Sequence, residues 1–129
     1  MSKSKQRLGR WGEKLAEDYL LKHGYEMVER NVRTPHGEID LIARKIKESS
    51  GRDIPITVFV EVKTRSNRTY GYPEESVTPQ KQAHLISSVQ AYIQEHPDLQ
   101  GEWQIDVIAI EVDGKTGKPS FTHFQNAVS

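Results

Sequence analysis

The chain has 129 residues, 28% of them charged and 35% apolar, with 18 basic and 18 acidic side chains and no cysteine. That length suits one domain with one core. The composition excludes disulfides and thiolate metal sites, a protein that coats nucleic acid by bulk charge, and a membrane helix, which needs roughly 20 apolar residues in a row.

The N-terminal MSKSKQRLGRWGEK is basic but has none of the apolar stretch of a signal peptide, so a cytoplasmic protein is expected. Leu8, Trp11, Leu15, Ala16, Tyr19 and Leu20 recur at helical spacing and predict a helix over 8–22, preceded by a flexible basic tail, 1–7. Gly24 is its left-handed cap. Residues 25–33 read as a strand and TPHG (34–37) as a turn. EIDLIAR (38–44) reads as a second strand, with Ile39, Leu41 and Ala43 on one face and Glu38, Asp40 and Ile42 on the other. The polar KIKESSGRDIP (45–55) reads as a hairpin loop, and ITVFVEVKTR (56–65) as a third strand.

SNRTYGYPEES (66–76) is a loop. Thr78 as N-cap and Pro79 at the first helical position then open a second helix. Its apolar face is Leu85, Ile86, Val89, Tyr92 and Ile93, and Pro97 stops it. WQIDVIAIEV (103–112), the turn DGKTGKP and SFTHFQNAV close the chain with two strands. The order α-β-β-β-α-β-β predicts a single α/β domain, 1–129, with a mixed central sheet flanked by helices.

Two acidic residues interrupt apolar strands. Glu61 and Lys63 share a face with Phe59, and Asp40 lies within the preceding strand, which is expected to pair antiparallel with theirs. Carboxylates on adjacent central strands repel, and one pKa rises unless something compensates. A divalent cation does so, and hard oxygen ligands suit Mg²⁺ or Mn²⁺. Lys63 would then orient a water or steady charge on a phosphate. The plainer alternative is a set of ion pairs joining Asp40 and Glu61 to Lys63 or Arg44. After the third strand, Arg65, Arg68, Tyr70 and Tyr72 interleave cations with aromatic rings, as nucleic-acid backbones and bases require; the tyrosines equally suit packing of a turn. DGKTGK (113–118) is no phosphate-binding loop, because Ala109 stands where its first glycine belongs and no helix follows. The five histidines have no zinc spacing, and Asp106 reads as a cap or salt-bridge partner.

An Asp on one strand and Glu-x-Lys on the next, after an N-terminal helix, resembles the PD-(D/E)xK nuclease superfamily, whose restriction-endonuclease-like core runs α-β-β-β-α-β. GRWGEKLAEDYLLKHGY, RTPHGEIDLIA, VFVEVKTR, YGYPEESVTPQKQAHL and IDVIAI together are similar to the YraN-like family of uncharacterised bacterial proteins, related in fold to archaeal Holliday-junction resolvases. The resemblance implies a Mg²⁺- or Mn²⁺-dependent DNA endonuclease. In it Asp40, Glu61 and the Val62 carbonyl are metal ligands, helped by Glu13 from the first helix, and Lys63 is the catalytic lysine. Lys81 matches a recurrent lysine at the second helix and would meet a phosphate there. Resolvase-like relatives also imply a homodimer. Ile39 stands where the superfamily name has proline. Glu13 is otherwise an ordinary surface residue, and Glu38, on the face of Asp40, is either a carboxylate that supports the site or, more simply, the exposed end of its strand. The rival reading is a nucleic-acid-binding or adaptor protein that kept the fold without turnover, since fold alone does not carry function.

Overall fold

The computed structural model describes residues 3–65, 78–99 and 101–128. Its elements are α1 (Lys3–Lys22), β1 (Glu26–Thr34), β2 (Gly37–Ser49), β3 (Arg52–Arg65), α2 (Pro79–Glu95), β4 (Glu102–Val112) and β5 (Pro119–Val128), the order expected. The five strands form one sheet in the order β1-β2-β3-β4-β5. β1–β2, β2–β3 and β4–β5 are antiparallel, and β3–β4 is parallel. A parallel pair needs a crossover, and α2 lies on the connection.

Side chains alternate across the sheet, so each strand feeds two cores. Ala16 and Leu20 of α1 pack on Leu41, Ala43, Val58, Val60, Ile108 and Ile110. On the opposite face Leu85, Val89 and Tyr92 of α2 pack on Ile42, Phe59, Ile105 and Val107. The result is a sheet between two helices, an α/β architecture.

Three sequence expectations change, and a fourth is not reached. Residues 3–7, expected as a flexible tail, belong to α1, which begins at Lys3 instead of Leu8; Lys, Gln and Arg are good helix formers and nothing there breaks the helix. The 45–55 segment is no loop. β2 and β3 stay paired to Ser49↔Arg52, and the chain reverses through Ser50 and Gly51 at φ 53 and 75°, the double positive-φ geometry of a two-residue hairpin. Its polar residues mark a ribbon that runs out into solvent. The segment 66–76, expected as a loop, lies outside the described residues. Finally, Ile39 does not share a face with Leu41 and Ala43. It packs with Ile42 in the α2-side core, because the alternation of β2 breaks at Asp40.

The ends of both helices follow their local chemistry. Gly24, at φ 86°, caps α1, and the Tyr25 N–H returns to the Leu20 carbonyl at 3.0 Å. Thr78 caps α2 by accepting from the Lys81 N–H at 3.2 Å. The 113–118 segment is a turn held by the Asp113 carboxylate, which accepts from the Lys115 and Thr116 N–H groups at 2.7 and 2.9 Å. Among the described residues, no helix is long and apolar enough to cross a membrane.

Candidate metal and phosphate site

The site forms where β2 and β3 part. Their ladder runs from Ser49↔Arg52 up to Leu41↔Val60 and stops. Beyond it β3 continues beside β4 to Arg65, while residues 37–39 of β2 stay with β1. Continuing the ladder would set residue 39 opposite Val62. Instead the Asp40 carboxylate takes that backbone donor, accepting from the Val62 N–H at 2.9 Å. A side chain thus replaces a strand carbonyl, and the opening holds it.

Asp40 is half-buried there. Burial first, then the charge of Glu61, push its pKa up to about 8; Glu13 adds to the rise, while the Val62 N–H and Lys63 oppose it. Three acidic groups therefore converge on one point, the condition under which a carboxylate holds its proton.

Glu13 reaches this point from α1. Ligand oxygens of Glu13, Glu38 and Asp40 lie within 4.8 Å of one another. One amide ties two of them together: Asn31 Nδ2 donates to Glu13 Oε1 at 2.7 Å and to Glu38 Oε1 at 3.1 Å. Asn31 is at φ 50°, a left-handed conformation that asparagine tolerates better than most residues. The β1–β2 pairs Arg30↔Leu41 and Val32↔Ile39 set Asn31 opposite Asp40. α1 comes close enough to supply Glu13 because the neighbouring Gly12 lies directly over β3: a Cβ at Gly12 would sit 1.9 Å from Thr64 Oγ1.

Glu61 stands outside that trio. Its Oε1 pairs with Lys63 Nζ at 3.0 Å, both side chains being about a quarter exposed or less. The two project on the α2 side of the sheet into a cleft of about 260 Å³, which also receives Glu38, Lys81 and His84. A second cleft, of about 400 Å³, opens on the α1 side and is lined by Glu13, Asn31, Arg10 and Lys14 among others.

Most of the residues singled out in the sequence come together. Asp40, Glu13, Glu61 and Lys63 surround the opening, Val62 supplies its backbone, and Lys81 lies across the α2-side cleft. Arg65 ends β3 beside Glu111 of β4 in register. Arg68, Tyr70 and Tyr72 lie outside the described residues. Glu38, weighed in the sequence as a supporting carboxylate or an exposed strand end, joins Glu13 and Asp40, and its membership depends on β2 leaving β3. One contributor escaped sequence reasoning. Asn31 carried one signal, an asparagine within a strand, where its type is depleted. Asp106, read as a cap or salt-bridge partner, is fully buried away from these carboxylates and bonds His123 Nε2 at 2.7 Å.

All these donors are oxygens. Clustered carboxylates, one with raised proton affinity, form a set that Mg²⁺ or Mn²⁺ fits and that lacks the nitrogen or sulfur favoured by zinc. The residues present therefore suit the cation that the sequence reading called for.

Residues 12–110 match the uncharacterised protein family UPF0102. A UPF0102 protein of Syntrophomonas wolfei is 42% identical over 120 residues, covering 93% of this chain and 96% of that protein. One from Dehalococcoides mccartyi is 39% identical over 112 residues, 87% and 86% of the two chains. One from Roseiflexus castenholzii is 38% identical over 130 residues, 99% and 98%.

Proposed function

The chain belongs to the uncharacterised protein family UPF0102, and we propose that it is a divalent-metal-dependent nuclease of the PD-(D/E)xK type that hydrolyses phosphodiester bonds in DNA. One observation carries this reading. Asp40 is drawn into the gap between β2 and β3 and carries a pKa near 8 with Glu61 and Glu13 against it. A fold gains nothing from converging carboxylates; a cation site requires them.

In this reading Asp40, Glu61 and Glu13 hold Mg²⁺ or Mn²⁺, with Glu38 and the Val62 carbonyl close by. The cation supplies charge neutralisation at the phosphate and a lowered pKa for a nearby water. Lys63, kept beside Glu61 by their 3.0 Å contact, orients the attacking water and donates to the phosphate oxygen on which charge develops. Lys81, on the first turn of α2, holds a neighbouring phosphate where the helix N-terminus already favours anions. Arg65, Arg68, Tyr70 and Tyr72 extend the contact to the backbone and bases.

The same ion pair favours one second reading. Glu61 and Lys63 satisfy each other, as they would in a nucleic-acid-binding or adaptor protein that does not turn over. The test separates the two. Mg²⁺ and Mn²⁺ are titrated calorimetrically into the wild type and the Asp40→Asn/Glu61→Gln variant, and labelled duplex, single-stranded and branched DNA are assayed for cleavage. Saturable binding and cleavage, both lost in the variant, are expected. DNA binding with neither would leave the non-catalytic reading.

A further inference from the structure

We infer that the exposed cationic face of α1, formed by Arg7, Arg10 and Lys14, is a second nucleic-acid track, along which a DNA strand runs after leaving the carboxylates. This rests on the nuclease reading for the position of the substrate but not for its own chemistry.

The three residues stand at helical spacings of three and four, so they share one face of α1. All three side chains are exposed. Among the described residues they have no ion-pair partner, whereas nearby Arg30 is tied to Glu17, with Nη2 to Oε2 at 2.6 Å. Lys14 feels the Glu17 carboxylate without an ion-pair contact, and Arg7 and Arg10 are free to meet an external anion. Their spacing also suits a polyanion. At about 1.5 Å per residue, Arg7 to Arg10 and Arg10 to Lys14 span roughly 4.5 and 6 Å along the helix axis. Phosphates of one strand succeed each other about every 3.4 Å of duplex axis, so each step accommodates one to two of them.

Position gives the track a direction. Arg10 and Lys14 line the α1-side cleft of about 400 Å³ together with Glu13 and Asn31. Glu13 belongs to the carboxylate trio with Glu38 and Asp40, and Glu38 opens on the α2-side cleft with Lys63 and Lys81. Two clefts of mixed charge, each with cations on its wall, thus meet at one acidic centre. A strand that crosses the centre with its phosphates on Lys63 and Lys81 on one side meets Arg10, Lys14 and Arg7 on the other. The chain as a whole is neutral, so this face owes its affinity to placement and not to bulk charge.

The test uses the full chain and a labelled 20-nucleotide single strand, with anisotropy measured in EDTA over a range of NaCl. Each lost phosphate contact lowers the slope of log K against log[salt] by about 0.7. The Arg7→Gln/Arg10→Gln/Lys14→Gln variant is expected to lose about 2 from the slope and at least tenfold in affinity at low salt. Arg10→Gln alone should lose about 0.7, which keeps the test valid should the triple variant fold poorly. The charge-matched Lys47→Gln/Arg52→Gln/Lys115→Gln variant, on the hairpin and the far turn, is expected to keep the wild-type slope. Equal slopes for the two triple variants, an unchanged slope in the α1 variant, or no wild-type binding overturns the track. Calorimetric Mn²⁺ titration of the same proteins distinguishes this failure from failure of the metal site, since the α1 variants should bind the ion as the wild type does.

Discussion

The carboxylate of Asp40 stands in for a strand carbonyl, accepting the Val62 N–H at 2.9 Å at the point where β2 leaves β3. This one bond explains why an acidic group is tolerated inside the sheet. It also explains why it is costly: the site is shielded from water and shared with Glu61 and Glu13, which raise the Asp40 pKa to about 8. In the unfolded chain the group returns to the ordinary carboxylate range, near 4. Between these values the native state binds a proton at Asp40 that the unfolded state does not, so this group's contribution to stability is full at low pH and is lost as pH rises from about 4 through 8. Asp40→Asn keeps an oxygen for the Val62 N–H and removes the charge. In metal-free buffer at pH 8 it is expected to melt a few degrees above the wild type, with a flatter pH dependence from 5 to 8. A reading in which Asp40 is a paired structural anion predicts the reverse, because its partner would be stranded. Thermal melts of both proteins across that pH range decide.

The same proton must leave before a cation binds. Metal affinity is therefore expected to climb about tenfold per pH unit below 8 and to level off above it, with close to one proton released per ion at pH 6.5. Calorimetry in two buffers of different ionisation enthalpy measures that proton directly. Affinity independent of pH between 6 and 8 would separate Asp40 from the binding event.

Asn31 supports the site without belonging to the set of ligands. Its amide joins Glu13 to Glu38 at 2.7 and 3.1 Å, holding two carboxylates that would otherwise diverge. Asn31→Gly preserves the positive φ and deletes the amide. Groups that orient metal ligands typically matter by 10–100-fold in affinity, so Mn²⁺ binding is expected to weaken by about tenfold. Asn31→Asp, which adds a further carboxylate and removes the donor, should raise the pH needed for binding. Unchanged Mn²⁺ affinity in both variants would make Asn31 a strand residue at positive φ and nothing more.

How much of this was legible beforehand follows from the range of each signal. Element order was readable because hydrophobic periodicity is local and both helices carry their caps in sequence, Gly24 for α1 and Thr78-Pro79 for α2. Glu61 and Lys63 stood out because strand alternation put two charges on a face begun by Phe59. The hairpin at 45–55 was misread because polar composition looks the same in a loop and in a solvated ribbon; only Ser50-Gly51 reverse the chain. The break in β2 was invisible, since it depends on where β3 stops pairing. The places of Ile39 and Asn31 depend on that break, and so escaped with it, whereas the face Glu38 shares with Asp40 already left a supporting role open.

Gly12 fixes how close α1 comes to the sheet, and through it where Glu13 lies. A Cβ at this position would meet Thr64 Oγ1 at 1.9 Å and Thr64 Cβ at 3.0 Å. Gly12→Ala is therefore expected to destabilise by about 1–3 kcal/mol despite its better helix propensity, and to weaken metal binding by lifting Glu13. Thr64→Ala removes most of the obstruction and should recover part of the loss, a non-additive pair in a urea-denaturation cycle. Thr64 Oγ1 is itself buried and, among the described residues, has no hydrogen-bond partner. Thr64→Val alone is accordingly expected to be neutral or to stabilise by up to about 1 kcal/mol. Additive losses in the cycle would mean that the helix does not rest on this contact.

Asp106 offers a contrast with Asp40, being a buried acid whose surroundings are all donors. Oδ1 accepts from the Gln104 amide at 2.8 Å and the Asn126 N–H at 2.9 Å, and Oδ2 accepts from His123 Nε2 at 2.7 Å. His123 Nδ1 continues to the Tyr19 hydroxyl at 3.2 Å, so the chain of bonds ties β4 and β5 to α1. Among the described residues no second carboxylate is hydrogen-bonded to it, and both of its oxygens meet donors. Asp106→Ala leaves three donors without their acceptor, the buried His123 Nε2 among them, and is expected to cost about 3 kcal/mol or more. Asp106→Asn keeps an oxygen for Gln104 and Asn126 and should cost less than half as much. Neither change should alter Mn²⁺ affinity in protein that remains folded. Urea denaturation and calorimetry on the same samples test the division between an acid that holds the fold and acids that hold a cation, and a Mn²⁺ affinity that followed the Asp106 substitutions would dissolve it.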